Sequence, residues 1–172
     1  MNRFAVMVLA ATLTGGCVLQ AQSVASLITE QKGAYTAVKN NLLKAADKMS
    51  EADYAFQPVK EIRTFGALIA HIAGQIRTCG TVMGEQKQVD MNKTAKADLV
   101  ALLKQSFDQC DAAWESMNEK TALETIAGRG GQRTKLGTLI GTTVVHNNEE
   151  YGYLAVYMRL KGVVPPSSEP RM

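Results

Sequence analysis

One histidine and one glutamate near the carboxyl end of the sequence have a spacing that metal chemistry uses. His146 and Glu150 are four residues apart in the segment HNNEEYGYLAVYMRL, whose apolar residues recur at helical intervals. On a helix, side chains at i and i+4 project about 40° apart and can approach one ion together. The same spacing also suits a simple contact between an imidazole and a carboxylate, so the spacing alone leaves both interpretations open.

The expected burial of this pair is what gives it chemical interest. Both residues fall on the helix face that carries Leu139, Thr143 and Leu154, and this apolar face is expected to point inward. A carboxylate there must be paired, protonated or bound to a metal, because an isolated buried charge is too costly. The other histidine of the chain, His71, lies at the edge of a second apolar helix face, where a partly buried histidine with a hydrogen-bond partner is the ordinary explanation.

Four blocks of helical periodicity predict the elements that must position these side chains. Apolar residues recur at helical spacing within residues 24–45, 65–83, 99–114 and 136–157. Because each predicted helix has a single apolar face, each has to bury that face against its neighbours. The sequence therefore predicts an all-α domain, a four-helix bundle, with strands confined to short pieces.

The connections between these helices follow from threonine, glycine and polar residues. Thr64 is placed to cap the second helix, and residues 84–93 form a polar crossover between helices two and three. The Gly-rich segment AGRGGQRTK at 127–135 lacks the spacing of a phosphate-binding loop, and it predicts a flexible connection to helix four. The candidate chemistry is thus placed on helices two and four.

The amino-terminal residues predict export. Residues 1–21 combine a positive start at Arg3, an apolar stretch from Phe4 to Leu13, and a small residue, Ala21, at the expected cut. The apolar stretch is shorter than the roughly 20 residues that span a bilayer, so no transmembrane segment is expected. We expect a signal peptide over residues 1–21, a mature domain over 22–172, and a periplasmic or extracellular location.

The three cysteines also bear on the prediction of export. Cys17 follows LTGG in a sequence close to a lipoprotein signal, but its leucine stands four places before the cysteine instead of three, so a lipid anchor at Cys17 ranks second. Cys79 and Cys110 remain in the mature chain. An even pair in an exported protein favours a disulfide, here between helices two and three. Two buried free thiols are the alternative.

The net charge argues against nucleic acid as a partner. The whole chain carries +3, and removal of the predicted signal peptide leaves about +2. This small and evenly spread charge is not the footprint of a nucleic-acid-binding protein. The partners that the sequence leaves open are a small-molecule substrate and a second copy of the chain in a homodimer.

Two segments of the chain resemble the DinB family. They are FGALIAHIAGQ at 65–75 and HNNEEYGYLAVYMRLKGVVPPSS at 146–168, and the likeness extends over the mature chain. The two segments look especially like an exported bacterial branch of the family, and the likeness is most specific in the ending VYMRLKGVVPPSSEP. The resemblance implies a four-helix bundle with a crossover between helices two and three. It also implies a divalent metal ion, held by one residue of helix two and two residues of helix four.

The ligand set that this resemblance implies differs from the family pattern at one position. Carried over by position, the ligands are His71, His146 and Glu150, and the family pattern has a third histidine where this chain has Glu150. A carboxylate is a competent ligand for zinc, nickel, iron or manganese. Two imidazoles and one carboxylate also form a recognised set for non-haem iron and for catalytic zinc.

Two classes of function follow. The first is a metal-dependent transferase or hydrolase that acts on an unidentified small molecule, with no catalytic residue assigned beyond the metal ligands. The second is a non-catalytic binding or structural bundle whose metal site has degenerated. In this second class, His146 and Glu150 pair with each other or with a neighbour such as Arg77.

Overall fold

The computed structural model describes residues 13–128 and 130–170, with side chains described from residue 24 onward in these ranges. Its elements are α1 (Leu13–Lys48), α2 (Phe65–Ala73), α3 (Ile76–Val82), α4 (Lys96–Glu115), α5 (Glu119–Leu123), β1 (Thr125–Gly128), β2 (Gly131–Thr134), α6 (Lys135–Leu139) and α7 (Asn147–Leu160). A π-helical segment covers Ile140–His146, and 3₁₀ turns cover Ala52–Ala55 and Pro166–Ser168.

These elements form the four helices of a bundle. Helix one is α1, and helix two is α2 followed by α3, with a local distortion at Gly74 and Gln75. Helix three is α4, and helix four is the uninterrupted run of α6, the π-helical segment and α7. Thr64 caps α2, since its side chain accepts a hydrogen bond from the Ala67 amide at 3.1 Å. The predicted all-α bundle is confirmed.

Contacts between helices two and three give their relative direction. Gly66 lies against Leu99 at one end, and Cys79 is bonded to Cys110 further along both helices. The two helices therefore run parallel. A parallel pair needs a connection that returns along the length of the bundle, and residues 83–95 provide it without regular secondary structure. This is the crossover that the sequence predicts.

Helix four runs antiparallel to helix two. The Tyr157 hydroxyl donates to the carbonyl oxygen of Arg63 at 2.7 Å, and the Asn147 amide donates to the side chain of Gln75 at 2.8 Å. One end of helix four thus meets the start of helix two, and its middle meets the distorted part of helix two. The candidate residues lie along this interface.

Apolar side chains from all four helices fill the centre of the bundle. Tyr35, Ile69, Leu103 and Leu154 represent helices one to four, and each is at most 1% exposed. The ring of Trp114 stacks on that of Tyr35, with 5.6 Å between the ring centroids. Removing this surface from water is the main favourable contribution to folding. The core thus provides a rigid frame for the residues between helices two and four.

The segment 127–135 contains most of a β-hairpin, where its composition predicts only a flexible connection. Strands β1 and β2 pair in antiparallel fashion, with Thr125 opposite Thr134. Gly130 has a φ of 88°, a left-handed conformation that glycine adopts without a steric penalty. Glycine indicates flexibility when composition alone is considered, but here its positive φ closes a tight hairpin.

A disulfide joins helices two and three inside the core. The Cα atoms of Cys79 and Cys110 are 5.0 Å apart, and both residues are fully buried. The structure thus contains the bridge and not the two free thiols that the sequence leaves open.

The amino-terminal prediction lies mostly outside the described residues. Residues 1–12 of the predicted signal peptide are not described, and neither is the side chain of Cys17. From Leu13 the chain is helical through the predicted cleavage point after Ala21. Within the described ranges, no helix has the length and apolar character needed to cross a membrane. The signal peptide and the lipid anchor stay predictions.

Candidate metal centre

Three elements deliver the candidate ligands to one place between helices two and four. His71 lies in the last turn of α2, His146 ends the π-helical segment, and Glu150 lies one turn further on in α7. The antiparallel packing of the two helices places the single histidine of helix two opposite the pair on helix four. The structure therefore brings together the three residues that the sequence singles out.

The three candidate ligand atoms form a small triangle. Nε2 of His71 is 3.1 Å from Nε2 of His146, and Oε1 of Glu150 lies 3.4 Å and 3.5 Å from these two nitrogens. In a tetrahedral zinc site with bonds of about 2.1 Å, neighbouring ligand atoms are about 3.4 Å apart. The triangle thus has the size that a small divalent cation requires.

Glu150 is the buried member of the group. Its side chain is 7% exposed, whereas each histidine side chain is 36% exposed. Its second carboxylate oxygen, Oε2, has no hydrogen-bond partner among the described residues. A buried carboxylate in this state carries a large desolvation cost, which a bound cation would offset. The donor set and the burial therefore fit a divalent metal ion.

The imidazoles are suited to the same role. Burial lowers the pKa of His71 below its ordinary value, and the neighbouring Glu150 carboxylate opposes this shift only in part. A lowered pKa favours the neutral imidazole, whose lone pair is free to bind a metal. Two Nε2 atoms at 3.1 Å either share one proton or direct both lone pairs at a common cation.

The hydrogen bonding of the His146 ring is incomplete. Its second ring nitrogen, Nδ1, is buried and makes no hydrogen bond with the part of the chain that the structure describes. Metal-bound histidines usually donate this second N–H to an acceptor, which fixes the ring and strengthens the ligand. This feature departs from the usual arrangement around a metal ion.

A buried amide pair lies next to the histidines. Nδ2 of Asn147 donates to Oε1 of Gln75 at 2.8 Å, and both residues are at most 5% exposed. Gln75 follows His71 by one helical turn, and Asn147 follows His146 directly. The pair therefore holds helices two and four in register beside the candidate ligands. The sequence places both amides on apolar faces, which is the signal for such a pair, but it does not show that they meet.

The π-helical segment is the feature that sequence analysis misses. Its run GTTVV at 141–145 combines glycine with β-branched residues, all of which are weak helix formers. The hydroxyl of Thr143 donates to the carbonyl oxygen of Leu139 at 2.8 Å and accepts from Trp114 Nε1 at 3.0 Å. Short π-helical turns occur often at functional sites, and this one ends at His146.

Arg77 is not a partner of the candidate ligands. Glu150 contacts both imidazoles, which agrees with one form of the second interpretation of the sequence. Among the described residues, however, Arg77 makes no ion pair and no side-chain hydrogen bond. The pairing of Arg77 with His146 or Glu150 is therefore not what the structure shows.

Three cavities reach the three candidate ligands from different sides. One of about 700 Å³ reaches His71 beside Arg63, and one of about 710 Å³ reaches both histidines from the side of the β-hairpin. A third, of about 620 Å³, reaches Glu150 beside Tyr153. Small molecules can therefore approach the histidines, while the carboxylate stays largely shielded from solvent.

The fold and the site together define a class. The molecule is an all-α bundle with a crossover between helices two and three, and it carries a two-histidine, one-carboxylate group that could hold a metal ion. The family model described as the DinB superfamily matches residues 34–154. The chain belongs to the DinB superfamily.

Solved structures show the same fold. A DinB-like protein from Bacillus cereus ATCC 10987 superposes with a TM-score of 0.68 at 16% identity, over 79% of this chain and 93% of that one. A DinB-like protein from Bacillus subtilis, YjoA, gives 0.64 at 20% identity, over 83% and 99%. A mutant of the mycothiol-dependent maleylpyruvate isomerase gives 0.52 at 16% identity, over 70% and 59%. No curated protein matches the chain.

Proposed function

We propose that this protein is an exported metalloprotein of the DinB superfamily that binds one divalent metal ion through His71, His146 and Glu150. One observation carries the proposal. Three ligand atoms from two helices lie 3.1–3.5 Å from one another, and one of them belongs to a buried carboxylate. Zinc, nickel, iron and manganese all accept two imidazoles and one carboxylate.

Each residue has a distinct part in the proposed site. His71 and His146 contribute neutral donors from separate helices, and Glu150 contributes the negative charge. The amide pair of Gln75 and Asn147 positions the two helices that carry these ligands. When bound, a divalent ion supplies Lewis acidity, which lowers the pKa of a coordinated water or thiol.

The reaction class that fits this site is metal-dependent transfer or hydrolysis on a small molecule. The cavities beside the histidines are large enough for a metabolite-sized ligand. Similarity to a mycothiol-dependent isomerase supports a thiol-dependent reaction. Export favours hydrolysis, because low-molecular-weight thiols are mainly cytoplasmic.

Export is the second part of the proposal. The signal-like residues 1–21 support it, and so does the buried disulfide between Cys79 and Cys110, since such bridges persist in oxidising compartments. Expression of the full-length chain in a bacterium tests it. We expect a periplasmic product whose mass corresponds to a chain beginning at Gln22. A cytoplasmic product that keeps residues 1–21 would contradict export, and a lipid-modified Cys17 would show the alternative anchor.

Metal analysis of the mature protein, purified without a polyhistidine tag, tests the site. We expect near one ion per chain by plasma mass spectrometry. His71→Ala should lower the metal affinity at least 10-fold, because only two ligands remain. Arg159→Gln, an exposed change elsewhere on α7, is the control and should keep the ion. A metal-free wild type, or a His71→Ala variant that keeps its ion, would contradict the proposal.

A non-catalytic bundle is the second candidate, and one observation favours it. The distances of 3.4 Å and 3.5 Å from Glu150 Oε1 to the imidazoles also suit a carboxylate that pairs with a protonated histidine without any metal. In that case the wild type binds no ion, and His71→Ala costs only local packing. Light scattering on the mature chain tests the homodimer that belongs to this candidate.

A further inference from the structure

The second of the three cavities has a charge that selects a class of ligand. We propose that this cavity, which we call the arginine cleft, binds a small organic anion through the guanidinium groups of Arg77 and Arg133. Only the assignment of that anion as a substrate rests on the proposed function. Anion binding itself is a separate property that can be measured without a metal.

The arginine cleft lies between helix two, the β-hairpin and the π-helical segment. Its volume is about 710 Å³, which suits a metabolite-sized molecule. His71 and His146 both line it. A ligand held in the cleft therefore lies next to two of the three proposed metal ligands.

The lining of the cleft is positively charged and has no compensating carboxylate. Among the described residues, Arg77 and Arg133 line it, and no aspartate, glutamate or lysine does so. The cavity beside His71 combines Arg63 and Lys93 with Glu51, and the cavity beside Tyr153 combines Arg63 with Glu61 and Glu150. Of these three cavities, the arginine cleft is thus the one whose described lining has cationic groups and no carboxylate to repel an anion. Its further polar residues are neutral: Gln75, Thr78, Thr81, Thr138 and Thr142.

The two arginines are available to a ligand. Within residues 24–128 and 130–170, eight lysines form ion pairs with carboxylates, whereas neither Arg77 nor Arg133 does so or makes a side-chain hydrogen bond. A guanidinium binds carboxylate and phosphate oxygens through two parallel hydrogen bonds. Unpaired arginines that line a cleft can therefore donate hydrogen bonds to a bound anion.

The side chain of Arg133 lies close to two glycines. A Cβ at Gly128 would be 3.2 Å from Cδ of Arg133, and a Cβ at Gly141 would be 3.4 Å from its Nη2. The arginine stem thus crosses the hairpin in a space that a side chain at Gly128 would restrict. Its guanidinium reaches the π-helical segment, the same segment that ends at His146. The hairpin therefore presents a cation to the helix that carries two of the proposed metal ligands.

Calorimetric titration of the metal-free mature protein at low ionic strength tests the inference. The probes are malonate, inorganic phosphate and the neutral analogue malonamide. We expect saturable binding of at least one anion and none of malonamide. The tighter anion identifies the substrate group as a carboxylate or a phosphate. The double variant Arg77→Gln/Arg133→Gln should weaken anion binding at least 10-fold. The variant Arg133→Lys should lose part of the affinity, because lysine keeps the positive charge but cannot make two parallel hydrogen bonds.

Arg159→Gln is the matched control, because this exposed arginine lines none of the three cavities. It should leave anion binding unchanged, and circular dichroism should show that every variant is folded. Absence of saturable binding, or equal weakening by Arg159→Gln, would overturn the inference even if the protein holds its metal. Binding that requires Arg77 and Arg133 would support the inference even if the wild type proves metal-free. The anion proposal and the metal proposal can therefore be contradicted independently.

Discussion

Helix two makes two long interfaces of opposite character. Toward helix three, the contact is covalent and apolar: Cys79 is bonded to Cys110, and Leu99 packs on Gly66. The four residues lie in the buried core of the bundle. This interface therefore serves the stability of the fold.

The interface of helix two with helix four is polar and incompletely satisfied. It holds two imidazoles, a buried carboxylate and a buried amide pair. Several of its buried polar atoms have no hydrogen-bond partner within the described part of the chain: Gln75 Nε2, His146 Nδ1, Asn147 Oδ1 and Glu150 Oε2. Each such atom costs folding free energy. The contrast shows that the apolar side of helix two stabilises the fold, whereas the polar side is where the proposed metal ligands lie.

Removal of the disulfide should have the largest effect on stability. In the double variant Cys79→Ala/Cys110→Ala, the free energy of unfolding should fall by about 3–4 kcal/mol, since the bridge closes a loop with a sequence separation of 31 residues. Denaturant unfolding measures this change. Metal content should stay at the wild-type level, because the change lies at the other interface of helix two. A variant that loses the metal would show that the two interfaces are not independent.

Loss of the amide pair should have a smaller effect on stability. Asn147→Ala leaves Oε1 of Gln75 buried without its donor, so the free energy of unfolding should fall by about 1–3 kcal/mol. Metal affinity should fall as well, because the two helices lose a contact that positions the ligands. The double variant Asn147→Ala/Gln75→Leu is the control, and it should recover part of the stability without recovering the affinity. Full recovery of both would show that the pair has no positioning role.

Replacement of the buried carboxylate should have the smallest effect on stability. Whether the free energy of unfolding rises or falls distinguishes the two candidate functions. Glu150→Gln keeps the shape and removes the charge, so the metal-free protein should gain up to about 1 kcal/mol in the free energy of unfolding. Its metal affinity should nevertheless fall at least 10-fold. A clear loss of stability in the metal-free variant would instead indicate that Glu150 is paired with a protonated histidine, as the non-catalytic candidate requires.

The sequence predicts the parts of this site that depend on local geometry. The spacing of His146 and Glu150 fixes their proximity on any helix, and apolar periodicity identifies the buried face that they share. The approach of His71 depends on how two distant helices pack. It follows from the family resemblance and not from periodicity. That these three residues bind a metal stays a prediction.

Other features depend on interactions that no local pattern specifies. The contact between Gln75 and Asn147 requires the register of helix two against helix four. The π-helical segment leaves the pattern of buried residues close to that of an α-helix, so only its weak helix formers indicate it. The hairpin contains glycines that composition links with flexibility. Strand pairing decides their conformation, and it brings Arg133 to the arginine cleft.

The decisive measurement for the metal site is anomalous diffraction at the zinc edge, from crystals of the untagged mature protein grown with zinc. We expect one strong peak about 2.0–2.2 Å from Nε2 of His71, from Nε2 of His146 and from one carboxylate oxygen of Glu150. The metal-site proposal would be contradicted if zinc were bound at other residues only and no peak lay between His71, His146 and Glu150.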